Sequence, residues 1–241
     1  MNEAIDAGLR NVLAVAELAI SELGLTRCPF PEALGALVGT HAGEPLRMHT
    51  RRWRGPGFVA LTMATITDAA GQLRSVTIIG LPAAGCPGPI VGVDLIGLGG
   101  ALSLVAVDLA PTDDVTWQTH AAAPLAALHT AVETHVVIRR RPSFADEVFS
   151  PRALIAGVRR GAELAVLDAV ASFIEHAVGP RASPGKVAAE RATAADDRVA
   201  AWCRAELRNR REHDALTRLF GAVPATAYLD MLFGAGARTA A

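Results

Sequence analysis

Two hydrophobic periods follow one another in the first half of the chain. Over residues 3–23 the apolar positions recur every three or four residues, which predicts an amphipathic helix. Further along, the period becomes two, and strands are predicted over 57–67 and 73–80 around the turn DAAGQ. A second hairpin is predicted over 90–96 and 101–108 around GLGG. Strands joined by such short turns predict an antiparallel sheet.

The second half of the chain is rich in alanine and leucine at helical spacing. Helices are predicted over residues 121–135, 162–178, 195–213 and 223–234. The segment 179–197, GPRASPGKVAAERATAADD, is predicted to be an exposed connection. Helices on the faces of an antiparallel sheet give an α+β sandwich, and we expect residues 1–241 to form a single domain.

Composition fits a folded protein outside the membrane. Of the 241 residues, 51% are hydrophobic and 20% are charged, which is a globular balance. Prolines and glycines interrupt the longest uncharged apolar stretch, so it cannot span a bilayer as a helix. Acidic residues among the first 24 positions are untypical of a secretory signal. We therefore expect a cytoplasmic protein without membrane contact.

The formal net charge is only −1, but the arginines are clustered. The clusters are Arg51, Arg52 and Arg54; Arg139, Arg140 and Arg141; and Arg208, Arg210 and Arg211. Such runs usually form solvated faces, and the alternative is an anion site or a docking surface for an acidic partner. Aromatic residues, at 5%, are too few for a platform that stacks nucleic-acid bases, so we expect no nucleic-acid binding.

Several well-known functional motifs are missing from the sequence. GLGG lies in a hairpin turn and is not a GxGxxG, and the chain contains neither GxxxxGK[ST] nor GxSxG. Cys28, Cys86 and Cys203 have no CxxC spacing, and the seven histidines form no HExxH. We therefore expect neither a nucleotide site, nor a serine-hydrolase site, nor a metal site.

The apolar strand PIVGVDL places a carboxylate, Asp94, where a buried side chain is predicted. Burial disfavours the carboxylate ion and raises its pKa, so a buried acid can hold a proton near neutral pH and give it to a substrate. The alternative is that Asp94 points away from the core or accepts hydrogen bonds from turn amides. Asp108, which ends the next strand, is more typical of a strand-end residue.

The stretch from Pro89 to Thr112 has a P-x-x-G-x-D-L strand, a glycine turn and a DL.P strand end. These features resemble the ferredoxin-dependent bilin reductases, which reduce biliverdin-like linear tetrapyrroles. Pro82 matches the family's loop ahead of that strand. RRRPSFADEVFSP (139–151) is similar to the family's LPxWGxxIFSP, and LTRLFGAVPATAYLDMLFG (216–234) is similar to its C-terminal helix pair. The resemblance covers about residues 50–234.

The resemblance implies a fold, a chemistry and a partner. The family's fold is an α/β/α three-layer sandwich with a central antiparallel sheet, and the bilin lies between the sheet and the C-terminal helices. Asp94 matches the family's catalytic aspartate, which contacts the pyrrole nitrogens and takes part in proton transfer. Electrons are expected singly from ferredoxin, an acidic protein, and no cofactor is expected to be bound.

Ungapped counting from these motifs shows where the chain departs from the family. Thr77 stands where phycocyanobilin-forming members have a catalytic histidine, Thr65 where they have a glutamate, and Arg210 where the family has a helix-borne aspartate. The threonines can bond to a ligand carbonyl or propionate, and Arg210 suits a carboxylate. With Arg159, these are the candidate substrate-binding residues. The alternatives are ordinary β-propensity for the threonines and, for Arg210, a solvated helix face with Asp214 turned inward.

Three functional hypotheses remain open at this point. The first is a ferredoxin-dependent reductase of a linear tetrapyrrole, an oxidoreductase acting on CH–CH groups, with Asp94 supplying a proton. The second is a non-catalytic protein of the same fold that binds a bilin or a related tetrapyrrole. The third is a reductase of a chlorophyll breakdown product. We expect a monomer in each case.

Overall fold

The computed structural model describes residues 3–178 and 187–234 of the chain. Within these residues the chain forms a nine-stranded sheet in which all pairings are antiparallel. The strands are β1 (Thr26–Cys28), β2 (Ala36–His41), β3 (Glu44–Gly55), β4 (Phe58–Asp68), β5 (Leu73–Pro82), β6 (Ile90–Leu98), β7 (Ala101–Ala110), β8 (Val136–Ile138) and β9 (Leu154–Val158). Their order is β1-β3-β4-β5-β6-β7-β9-β8, and β2 also pairs with β3.

Helices cover both faces of this sheet. They are α1 (Glu3–Glu22), α2 (Glu32–Gly35), α3 (Asp114–His120), α4 (Ala122–Val132), α5 (Glu163–Val178), α6 (Ala189–Leu207), α7 (Arg210–Phe220) and α8 (Ala222–Phe233), with a 3-10 turn at Ser143–Ala145. The predicted α+β class with a central antiparallel sheet flanked by helices is therefore confirmed. Along the part of the chain that the structure describes, no helix is long and apolar enough to cross a membrane.

The two predicted hairpins form as expected. β4 pairs with β5, and β6 pairs with β7, with bounds that differ from the predicted ones by no more than two residues. Five further strands were not predicted. The longest of them, β3, joins β4 to the edge strands β1 and β2 and carries arginines among its apolar positions.

Side-chain alternation along the strands gives the sheet two faces with different coverings. On the first face, Val93, Leu95 and Val105 pack with apolar residues of α1 and α5. On the second face, Leu81 and Ile90 pack with apolar residues of α6, α7 and α8. The molecule therefore has two apolar cores, one on each side of the sheet.

Two helix predictions in the second half need correction. The helix predicted over 195–213 is two helices, because α6 ends at Leu207 and Asn209 caps α7 by accepting a hydrogen bond from the Glu212 amide. The connection predicted over 179–197 is shorter, because α6 begins at Ala189, while residues 179–186 lie outside the described residues. The helix predicted to start at 121 is preceded by α3, which Asp113 caps.

Candidate active site

Asp94 lies in the middle of β6, and its side chain projects from the second face of the sheet. Its neighbours along the strand, Val93 and Leu95, belong to the core on the first face, so alternation turns Asp94 toward α6–α8. Thr77 on β5 is directly opposite, and its Oγ1 donates a hydrogen bond to Asp94 Oδ1 at 2.9 Å. Burial raises the pKa of Asp94, and the bond from Thr77 opposes this in part. The environment of this carboxyl group therefore favours its protonated form more than water does.

Around Asp94 the second face is open, whereas the first face is tightly packed. Val93 and Val105 on the first face are 1% and 0% exposed. On the second face Asp94 and Ala106 are half-buried, and a Cβ placed on Gly92 would have no atom within 4 Å. The sheet therefore has a floor of small residues beside Asp94, with open space above it. We call this space the cleft.

Two glutamates from the helices stand close to Asp94. Glu206 lies near the end of α6 and is buried, and Glu212 lies in the first turn of α7. The side-chain amide of Asn209, at the break between these helices, donates to Glu206 Oε2 at 3.5 Å and to Glu212 Oε2 at 3.4 Å. Asp94, Glu206 and Glu212 form a group of three carboxyls, which we call the carboxyl cluster.

The electrostatics of the carboxyl cluster favour protonated acids. Burial raises the pKa of Glu206 to about 7; the bond from Asn209 opposes this, and the nearby charge of Asp94 adds to it. Burial, with the charges of Glu206 and then Asp94, raises the pKa of Glu212 to about 8. Such groups exchange protons near neutral pH, as general acids must.

The sequence contained a signal for Glu206 that our motif reasoning missed. Val199, Trp202 and Cys203 are buried on α6, and Glu206 continues their spacing of three and four residues. A glutamate on the apolar stripe of a helix is a buried acid. Glu212 gives a weaker signal, since it depends on the helix break at Asn209.

Beyond Thr77, the row of side chains that starts at Asp94 continues through Ala64 to Thr50 on β3. Thr50 Oγ1 is hydrogen-bonded to the hydroxyl of Tyr228 on α8 at 3.1 Å. Burial, with the bond to Thr50 opposing it and the charge of Glu212 adding to it, raises the pKa of Tyr228 to about 12. The chain's sole tyrosine therefore lies close enough to the carboxyl cluster to interact with its charge.

On the β7 and β9 side, the segment that follows β8 folds over the second face. Arg139 Nη2 donates to the Ser103 carbonyl at 2.8 Å and lies over Gly157, where a Cβ would be 3.1 Å from that nitrogen. Asp108 fixes the far end of the segment by accepting hydrogen bonds from the Ser150 amide at 2.9 Å and the Ser150 hydroxyl at 2.5 Å. Asp108 is thus more than a strand-end residue, because it ties this segment to the sheet.

Thr65 was expected in the site, and the structure corrects this. Ala64 pairs with Thr77, so Ala64 is the β4 residue that shares a face with Asp94. Thr65 pairs with Val76, which belongs to the core on the first face. Ungapped counting therefore placed the β4 position one residue too far along, and a shift of one residue reverses the face of a strand.

Neither of the two predicted arginines is brought to the carboxyl cluster. Arg210 begins α7 and is exposed, and Asp214, the alternative, is exposed as well. Arg159 follows β9 and is exposed, four residues beyond Ile155, which lies in the row of Asp94. At about 3.3 Å per residue this is roughly 13 Å along the strand. The residue that faces Asp94 from α7 is Glu212.

For residues 3–178 and 187–234 no group of three or more histidine, cysteine, aspartate or glutamate side chains is arranged to hold a metal ion. The three cysteines, Cys28, Cys86 and Cys203, form no disulfide.

Comparisons with known proteins identify the family and the fold of the chain. The model of the ferredoxin-dependent bilin reductase family matches residues 14–234. The crystal structure of phytochromobilin synthase from tomato in complex with biliverdin is similar with a TM-score of 0.76 and 13% identity, covering 93% of this chain and 82% of that one. A solved structure of the protein PcyX is similar with a TM-score of 0.49 and 13% identity, covering 92% of this chain and 94% of that one. No curated protein sequence matches the chain.

Proposed function

The chain belongs to the ferredoxin-dependent bilin reductase family, and from this premise we propose that it reduces a linear tetrapyrrole of the biliverdin type with electrons from ferredoxin. Each double bond reduced takes two electrons, delivered singly by two reduced ferredoxins, and two protons. The single observation that carries the proposal is the carboxyl cluster facing the open floor of the cleft.

Asp94 is the residue proposed to protonate the substrate. Its protonated carboxyl gives a proton to the bilin as an electron arrives, and the carboxylate that remains accepts hydrogen bonds from pyrrole N–H groups. Thr77 holds the carboxyl in place through the 2.9 Å bond and cannot itself supply a proton at neutral pH. Glu206 and Glu212 can return a proton to Asp94, because their pKa values of about 7 and about 8 leave them partly protonated.

The floor of the cleft supports a flat, multi-ring substrate. Gly92 and Ala106 project little or nothing from the second face, so a planar ligand can approach the strands beside Asp94. Biliverdin is bound by the tomato protein, whose fold this chain shares. We propose a biliverdin-like bilin as the substrate here.

The arginines after β8 support docking of an acidic electron donor. Arg139 and Arg140 are exposed, and Arg139 lies over the second face of the sheet. The group at Arg51–Arg54 is less suitable, because Arg51 pairs with Glu17 and Arg52 is buried. We therefore propose that ferredoxin docks on the Arg139–Arg141 side.

Anaerobic incubation with biliverdin, ferredoxin and a ferredoxin reductase tests the proposal. We expect the absorption bands of biliverdin to be replaced by those of a product two hydrogens heavier, and no change when ferredoxin is omitted. If biliverdin binds but stays unreduced, the chain is a bilin-binding protein. If biliverdin is neither bound nor reduced and a chlorophyll catabolite is reduced instead, the proposed substrate class is wrong.

A further inference from the structure

Arg52 is a buried cation that has no counter-charge among the residues that the structure describes. It lies on β3, is 2% exposed, and forms no ion pair with a carboxylate of the described residues. Its Nη1 atom is buried and has no hydrogen-bond partner there either. Because burying a charge is strongly unfavourable unless the charge is paired, an unpaired guanidinium needs an explanation.

Part of the guanidinium already has a structural role. Nη2 donates to the carbonyl of Met231 in the last turn of α8 at 3.0 Å, and Nε donates to Thr62 Oγ1 at 3.3 Å. The plane lies over the ring of Phe30 at 4.9 Å from its centroid. These contacts fix Arg52 and satisfy one helix-end carbonyl, but they leave Nη1 and the positive charge unmatched.

Arg52 lies on the same sheet face as Asp94, in the neighbouring row of paired residues. It pairs with Thr62, and the same row runs through Ile79 to Gly92, where the floor is open. Two strands, β4 and β5, lie between β3 and β6, so the three inter-strand spacings of about 4.8 Å add up to about 14 Å. A second donor, the indole Nε1 of Trp202, is also buried and has no hydrogen-bond partner in the described part of the chain, and its ring packs on Phe233 in the last turn of α8.

We propose that Arg52 is an anion-binding residue that takes a carboxylate side arm of the tetrapyrrole at the α8 end of the cleft. The inference rests on the proposed function and adds the orientation of the bound tetrapyrrole. Acids at one end accept hydrogen bonds from pyrrole N–H groups, while the cation and the indole N–H at the other end donate to carboxylate oxygens. A ligand turned the other way would bring its carboxylates against Asp94, Glu206 and Glu212.

The test compares biliverdin with its dimethyl ester, which lacks the carboxylates, in absorbance titrations. The wild-type protein should bind the ester about ten- to a hundredfold more weakly, the loss expected for a charge-assisted hydrogen bond. Arg52→Met should bind both ligands alike, at the affinity of the ester for the wild type. Arg210→Ala serves as the control, because Arg210 is exposed on α7 and should keep the full preference for the diacid.

Several outcomes separate the possibilities. Equal binding of the two ligands by the wild type overturns the proposal, as does a folded Arg52→Met that keeps the preference, or a preference lost in Arg210→Ala instead. If Arg52→Met does not fold in a thermal unfolding control, Arg52→Lys, which keeps the charge without the two-nitrogen fork, should show a reduced preference, and an unchanged one overturns the proposal. If neither ligand binds to the wild type, the proposed function itself fails.

Discussion

Replacing Asp94 by asparagine removes one proton from the site while keeping its shape. The amide oxygen still accepts the hydrogen bond from Thr77 that spans 2.9 Å in the wild type. An amide cannot give up a proton at neutral pH, so electrons reach the bilin without their proton source. Removing a general acid usually slows turnover by about 10²–10⁴-fold. We expect about a hundredfold here, because Glu206 and Glu212 remain as alternative acids.

The assay is the anaerobic ferredoxin-dependent decay of biliverdin absorbance, with the dissociation constant measured separately. Asp94→Asn should lower kcat while biliverdin binding stays within about threefold, and Asp197→Asn, an exposed change on α6, should alter neither. Undiminished turnover in Asp94→Asn would remove Asp94 from proton transfer. Loss of binding with unchanged turnover of the bound fraction would make Asp94 a binding residue only.

Asp94→Asn should lower kcat but raise the free energy of unfolding. Because burial raises the folded-state pKa of Asp94 above 3.8, the wild type loses stability as pH rises above that value and the buried group must ionise. Asp94→Asn cannot ionise, so denaturant unfolding at pH 8 should show a higher free energy of unfolding than the wild type. A lower value at pH 8 would mean that Asp94 is a stabilising ion.

Three other predictions concern the cleft, the glutamates and the donor surface. Gly92→Val should keep the melting temperature but weaken biliverdin binding by about tenfold or more, because the added side chain enters the open space that the ligand is proposed to fill. Gly80→Val should instead destabilise the fold, because a Cβ there would lie 2.7 Å from Phe58. Tight biliverdin binding by Gly92→Val would place the ligand elsewhere. The pKa values of Glu206 and Glu212 are raised from 4.5 to about 7 and about 8, so the free energy of unfolding should fall as the pH rises from 4.5 to 8. Glu212→Gln should make this fall with pH shallower, and Asp214→Asn should leave it unchanged. An equally steep fall in Glu212→Gln would contradict the burial of that acid. The rate of biliverdin reduction with ferredoxin should fall steeply as salt is added, since exposed charges are screened over about 10 Å at 0.1 M. Arg140→Gln should reduce this salt dependence, because Arg140 is exposed. A rate that does not change with salt would favour a solvated arginine face.

The elements that sequence predicts well are those in which local pattern and tertiary position agree. β4 to β7 alternate apolar residues over tight turns, and α1 and α5 carry apolar stripes, so their bounds follow from the chain itself. β3 was missed because its second-face positions include Thr50 and Arg52, whose burial depends on partners far away on α8. No local rule predicts such a buried polar strand.

The candidate site shows the same division. Asp94 stands out because a carboxylate interrupts an apolar strand, and resemblance to the family marks it too. The helix-borne acids were missed because counting along the chain does not locate the break at Asn209, which turns Glu212 inward and leaves Arg210 exposed. The sheet face predicted for Thr65 was wrong for a similar reason. Strand register is set by pairing and not by the number of residues counted from a distant motif.

The most direct test of the central claim is to run the ferredoxin-dependent reaction anaerobically in D₂O and analyse the recovered bilin by mass spectrometry after back-exchange in H₂O. Coupled electron and proton transfer predicts a reduced bilin that retains deuterium on carbon, formed by the wild type and strongly diminished in Asp94→Asn. Biliverdin recovered unchanged from a protein that binds it would contradict the account and leave the chain as a carrier.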